Sequence, residues 1–150
     1  MNENLYLYIL MRTDLPSMGA GRAAAQASHA ANAFIHKYGN KDYVKEWQKQ
    51  TTQGFGTAIV LGVNLKELYN KYNASYRKFC SEVIIDPDYV VSISSELVPF
   101  LNKLDSRIKV EQSTVDSNKY VIHREEVTCG YIFGNKEKLV ELLGDLPLYS

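Results

Sequence analysis

The stretch Leu5-Tyr6-Leu7-Tyr8-Ile9-Leu10-Met11, followed by Arg12-Thr13-Asp14-Leu15-Pro16-Ser17 and then Met18-Gly19-Ala20-Gly21-Arg22, decides the architecture. An unbroken apolar run of this length is what a strand covered on both faces requires. Asp14, Pro16 and Ser17 supply turn chemistry at its end. Arg22 to Tyr38 is alanine-rich and free of Gly and Pro, with Ala23, Ala27, Ala30, Ala31, Phe34 and Ile35 at helical spacing. Gly39 is a suitable stop. The opening therefore reads strand, glycine-bearing loop, helix.

Outward from there the alternation continues. Asn40 to Gln50 predicts a second helix, with Tyr43, Val44 and Trp47 inward and Lys41, Lys45 and Lys49 on another face. Thr51 to Gly56 breaks it, Thr57 to Val63 predicts a strand, and Asn64 is a good N-cap for a helix from Leu65 to about Tyr76. Glu82 to Ile85 predicts a short strand stopped by Asp86-Pro87-Asp88, and Tyr89 to Ile93 another. A short helix follows from Ser94 or Ser95 to Leu104, then strands at Arg107–Gln112 and Val127–Phe133 and a last helix at Lys136–Leu143. The expected class is α/β: one domain over 1–150, with a mixed, mostly parallel sheet of four or slightly more strands and helices on both faces. Its middle, at about 65–112, reads as extended.

Composition narrows the function classes. Seventeen basic residues balance seventeen acidic ones, so there is no global basic signature for nucleic acid, although a local patch suffices to hold phosphate. Cys80 and Cys129 stand far apart, which favours two reduced thiols over a disulfide framework or a metal motif. No apolar run has the length of a membrane span, and Met1 to Asn4 lacks a basic leader, so the expectation is a cytoplasmic protein away from membranes.

The strand-to-helix junction carries the clearest chemistry. Unpaired N–H groups and the helix dipole make such a junction an anion site, and Gly19 and Gly21 allow close approach to the backbone. Arg22 adds a permanent cation where the helix itself would prefer an anion. Taken alone, Gly-x-Gly is weak support for a dinucleotide, and pairing of Arg22 with a nearby carboxylate is the bland alternative.

The ordered series Arg12-Thr13-Asp14-Leu15, then Met18-Gly19-Ala20-Gly21-Arg22, then Ala24-Ala25-Gln26-Ala27-Ser28-His29-Ala30 resembles the signature of type II peptidyl-tRNA hydrolases. Thr128 to Gly134 and the helix after it resemble the last strand and helix of that family. The resemblance implies a mixed four-stranded sheet and hydrolysis, without a cofactor, of the ester joining a peptide to the 3′ ribose of tRNA. Peptidyl-tRNA is then the substrate, and a homodimer is compatible with it.

Carried over position by position, the family's functional lysine falls on Arg22 and its other lysine on Ala20. A threonine preceded by the family's active-site aspartate at a spacing of twelve gives Thr128 and Asp116. The intermediate threonine becomes Tyr120. A competing alignment places the aspartate at Asp86. The implied catalytic residues are Arg22, Asp116 and Thr128, with Gly19, Gly21, Gln26 and His29 on the substrate. Arginine keeps charge and phosphate affinity but cannot shuttle a proton near neutral pH. That departure, with Tyr120, motivates the alternative: a silent relative of the same fold that binds RNA or a protein partner. His29 and His36 are too sparse for a metal site, and His123 reads as an exposed strand or loop residue. Asp86-Pro87-Asp88 is more readily a turn than a cation site. Lys41, Lys45 and Lys49 are a solvated face, or in a tRNA enzyme a phosphate contact.

Overall fold

The computed structural model of the chain describes residues 3–104, 109–113 and 119–150. Strands β1 (Leu5–Arg12), β2 (Ala58–Val63), β3 (Cys80–Ser94), β4 (Lys109–Gln112) and β5 (Lys119–Asn135) form one mixed five-stranded sheet. Its path runs β2-β1-β5-β3, with β4 also paired to β5. Helices are α1 (Ala20–Tyr38), α2 (Asp42–Lys49), α3 (Leu65–Ser75), α4 (Val98–Leu104, after a 3-10 turn at Ser95–Leu97) and α5 (Lys136–Leu143). The α/β class and the mixed sheet agree with the sequence; the parallel share is smaller than strand–helix alternation implied. β1 pairs parallel with β2 and antiparallel with β5, and β4 pairs antiparallel with β5.

By contacts the chain groups into two compact units, one of residues 1–84 and 128–150, the other of 85–127. In the first, β1 is central, and its alternate side chains explain why helices cover both faces. Leu5, Leu7, Ile9 and Met11 join Cys129, Tyr131 and Phe133 of β5 against Ala23, Ala30 and Phe34 of α1 and Val44 and Trp47 of α2. Phe34 sits edge-on to Trp47 at 5.6 Å and to Tyr131 at 5.3 Å between ring centroids. Such geometry adds to plain area burial. On the other face, Leu68 of α3 lies over Gly130, where an added Cβ would come within 3.0 Å of its side chain. The chain enters β2 through Gly56, whose positive φ of 72° and lack of a Cβ admit the Trp47 ring. Trp47 Nε1 then donates to the Thr57 carbonyl at 2.9 Å.

Among the described residues, two helix starts carry side-chain caps. Asn64 and Glu67 form a reciprocal capping box at the start of α3, and the Asn135 side chain caps α5. Beyond α5 the chain runs along β2: Gly62 N donates to Pro147 O at 2.9 Å, and Tyr149 N to Val60 O at 3.0 Å.

Three expectations for the middle need correction. Asp86-Pro87-Asp88 does not stop a strand; β3 continues through it. β3 ends the sheet's path, and an edge position tolerates proline's missing N–H. The Asp88 N–H is taken by the Asp86 carboxylate at 2.9 Å. Likewise β5 begins at Lys119 rather than Val127, its first half pairing residue for residue with β4 from Tyr120 to His123. Within the 85–127 unit His123 is not an exposed residue. Its Nδ1 lies 2.9 Å from Asp88 Oδ1 and its Nε2 3.4 Å from Glu111 Oε2, with the side chain 21% exposed.

Candidate active site

The carboxyl ends of the parallel strands β1 and β2 are where an α/β sheet offers a ligand its crevice. Here β1 stops at Arg12, the chain turns over seven residues, and α1 begins. The turn is braced from within. Arg12, 8% exposed at its side chain, grips Asp14 through Nε–Oδ1 at 2.8 Å and Nη2–Oδ2 at 3.2 Å. Asp14 Oδ2 also accepts the Leu65 N–H at the start of α3, at 3.2 Å. The hydrogen bond from Arg12 is the main reason the Asp14 carboxyl sits below its ordinary pKa. Thr13 adds a backbone N–H and a side-chain hydroxyl to the Val63 carbonyl, at 2.8 and 3.3 Å. The Arg-Thr-Asp segment thus ties the ends of β1, β2 and α3 together, a structural role that sequence reading left unassigned. Opposite charges two residues apart, directly after a buried strand, were the available signal.

Helix α1 opens at Ala20, two residues earlier than expected, so Gly19 is its N-cap and Gly21 lies in its first turn. No side chain caps it, and its first turn holds no carboxylate. A Cβ added at Gly19 or Gly21 would meet nothing within 4 Å, so neither glycine is demanded by the chain's own packing. Arg22 is half-buried at this end and donates from Nη1 to the Ser17 carbonyl at 3.3 Å.

One turn further, Gln26 is buried at 4% exposure and faces Thr128 of β5, which is fully buried. The Thr128 hydroxyl donates to Gln26 Oε1 at 2.7 Å. The adjacent Cys129 thiol donates to the Gln26 carbonyl at 3.5 Å, and burial pushes this thiol up to about 12. Since Met11 pairs with Cys129, Thr128 stands beside the carboxyl end of β1. Arg22 and Gln26 on the first turns of α1, with Thr128 across from Gln26, therefore share one end of the sheet.

The remaining candidates divide. His29 lies on the exposed side of α1, away from the buried stripe that Gln26 joins. Asp116 lies outside the described residues. Asp86 belongs to the 85–127 unit, where it is half-buried and bonded to the Asp88 N–H. Lys41 stands at the N-cap position of α2 without a side-chain capping bond, and Lys41, Lys45 and Lys49 are all exposed. Among the described residues no group of three or more His, Cys, Asp or Glu is arranged to hold a metal ion, and no helix is long and apolar enough to cross a membrane.

Comparison with known proteins defines the class. The family model described as peptidyl-tRNA hydrolase PTH2 matches residues 5–149. A peptidyl-tRNA hydrolase of Sulfolobus acidocaldarius is 35% identical over 145 residues, covering 93% of this chain and 96% of the relative. The chain belongs to the peptidyl-tRNA hydrolase PTH2 family.

Proposed function

We propose that the chain hydrolyses the ester bond of peptidyl-tRNA, releasing peptide and free tRNA, at the carboxyl end of β1. The observation that carries this is the pairing of Thr128 with Gln26 beside an uncapped helix start bearing Arg22. Ester hydrolysis needs a placed water and a positive environment for the oxyanion. The helix N-terminus and Arg22 supply the second, for a phosphate of the tRNA or for charge developing on the carbonyl oxygen. Thr128, fully buried, gives its hydrogen to Gln26 and so holds the geometry of this end of the site by hydrogen bonding. Asp116, twelve residues before Thr128, is our choice for the group that orients the water. His29 is assigned an outer substrate contact, and Gly19 and Gly21 the close approach of substrate to backbone.

Arg22 acts here as a fixed charge, not as an acid or base. This reading puts the protein in the cytosol, where its substrate arises, and takes a homodimer as the working assembly, to be checked by sedimentation. The test is turnover of purified peptidyl-tRNA. Wild type is expected to clear it, with Arg22→Ala, Asp116→Ala and Thr128→Val each losing at least tenfold in rate. Absence of turnover, at a concentration where the Sulfolobus relative clears the substrate, overturns the reading. Retained tRNA binding would then identify a silent relative.

A further inference from the structure

A second concavity lies at the opposite end of the β1–β5 ladder. Thr128 stands near Arg12, whereas Leu5 pairs with Asn135, so the two ends are about 23 Å apart along β1. The cleft there measures about 740 Å³, within the roughly 300–1,000 Å³ typical of small-molecule sites. Its lining combines two chemistries. Tyr38, Tyr43, Phe79 and Phe133 supply aromatic surface, and Arg77, Lys78 and Lys138 supply three cations against the single carboxylate of Glu3. In a chain of zero net charge, that is a local excess.

One of these cations has a defined setting. Arg77 follows α3 with φ of 65°, a left-handed conformation in which glycine would be less strained. Its guanidinium rests 5.4 Å from the centre of the Tyr76 ring. A strained, charged residue at a cleft is an observation that points toward binding. Phe79 is set by Gly134, since a Cβ there would come within 2.6 Å of its ring. Two polar groups on the wall, the Cys80 thiol and the Tyr43 hydroxyl, stay neutral near physiological pH. Cys80 Sγ lies 3.6 Å from Tyr43 Oη, and burial raises both, Tyr43 to about 12. Among the described residues, Glu3 is the one carboxylate in the lining against the three cations of the rim.

Aromatic faces beside a cationic rim are what a nucleotide needs: a surface for the base and partners for the phosphate. We propose that this cleft binds a phosphorylated nucleotide, either free or as one unit of a single-stranded RNA segment, with the base against Tyr43 and Phe79 and the phosphate held by Arg77, Lys78 and Lys138. The site is separate from the Arg22–Thr128 end and does not depend on the hydrolase reading.

The test is titration of the isotope-labelled full chain with AMP, a mixed-sequence pentaribonucleotide and inorganic phosphate, followed by amide chemical shifts. AMP or the pentanucleotide is expected to shift Lys78, Phe79, Gly134 and Lys138. The charge reversals Lys78→Glu and Lys138→Glu, both at exposed positions, are expected to weaken that binding at least tenfold. Phe79→Leu is expected to remove the preference for AMP over phosphate. Shifts with AMP identify a free-nucleotide site, and shifts with the pentanucleotide alone identify a strand contact. Response to phosphate alone, shifts confined to Arg22 and Gln26, or no shifts at millimolar ligand would overturn the inference. Peptidyl-tRNA turnover is read separately: turnover without cleft shifts removes only this site, and cleft shifts without turnover remove only the hydrolase reading.

Discussion

At the scale of single residues, the α1 start separates stability from function. Gly21 lies in a helix with open space where its Cβ would be, so Gly21→Ala is expected to raise stability by up to about 1 kcal/mol in a denaturant melt. If substrate approaches the backbone there, the same change lowers affinity for peptidyl-tRNA; a variant both more stable and equally active would remove Gly21 from the site. Thr128→Val leaves Gln26 Oε1 without its buried donor, and a loss of about 1–3 kcal/mol is expected, recovered by Thr128→Ser. Arg22→Lys keeps the charge and should keep most of the turnover, whereas Arg22→Ala should not. Much of this end was readable in the sequence, because strand, turn and helix start are consecutive and each leaves a local mark. The bond between Gln26 and Thr128 was not, since partners 102 positions apart leave no joint local mark.

At the scale of elements, the Arg12–Asp14–Leu65 brace gives a pH dependence. Asp14 is held below its ordinary range first by the Arg12 hydrogen bond, so the folded chain binds this proton less readily than the unfolded one. Its contribution is complete above the unfolded carboxylate range, about pH 4, and is lost as pH falls through the lower folded value. Its carboxylate is 37% exposed, which limits the effect. Asp14→Asn should cost on the order of 1 kcal/mol at neutral pH and flatten the acid limb of the stability curve. An unchanged acid limb would assign it to other carboxylates. The helices were the most legible elements: α5 has the expected bounds, and Asn64 announced α3. The long strands β3 and β5 were not legible in full. Pro87 reads locally as a break, and only the edge position of β3 makes it harmless.

At the scale of the molecule, the two thiols report on integrity. Cys129 is fully buried and its thiol is raised to about 12, while Cys80 is half-buried and also raised. A thiol reagent at pH 8 should therefore label Cys80 slowly and leave Cys129 unlabelled until the chain unfolds, as mass spectrometry would show. Fast labelling of Cys129 in the folded protein would contradict this core. The nucleotide cleft escaped sequence reading altogether, because its walls come from several separate segments that only folding brings together.

The segment running along β2 bears on how concentrated the protein can become. β2 ends the sheet's path, and Ala58 to Val63 is an apolar row whose outer backbone groups would otherwise invite a strand from a neighbouring molecule. Pro147 and Tyr149 occupy two of those groups, and Leu61 bridges to Leu148. The tail is in effect a cap against self-association. Removing residues 147–150 should leave a chain that folds in dilute solution yet forms sheet-rich aggregates as concentration rises, visible in light scattering.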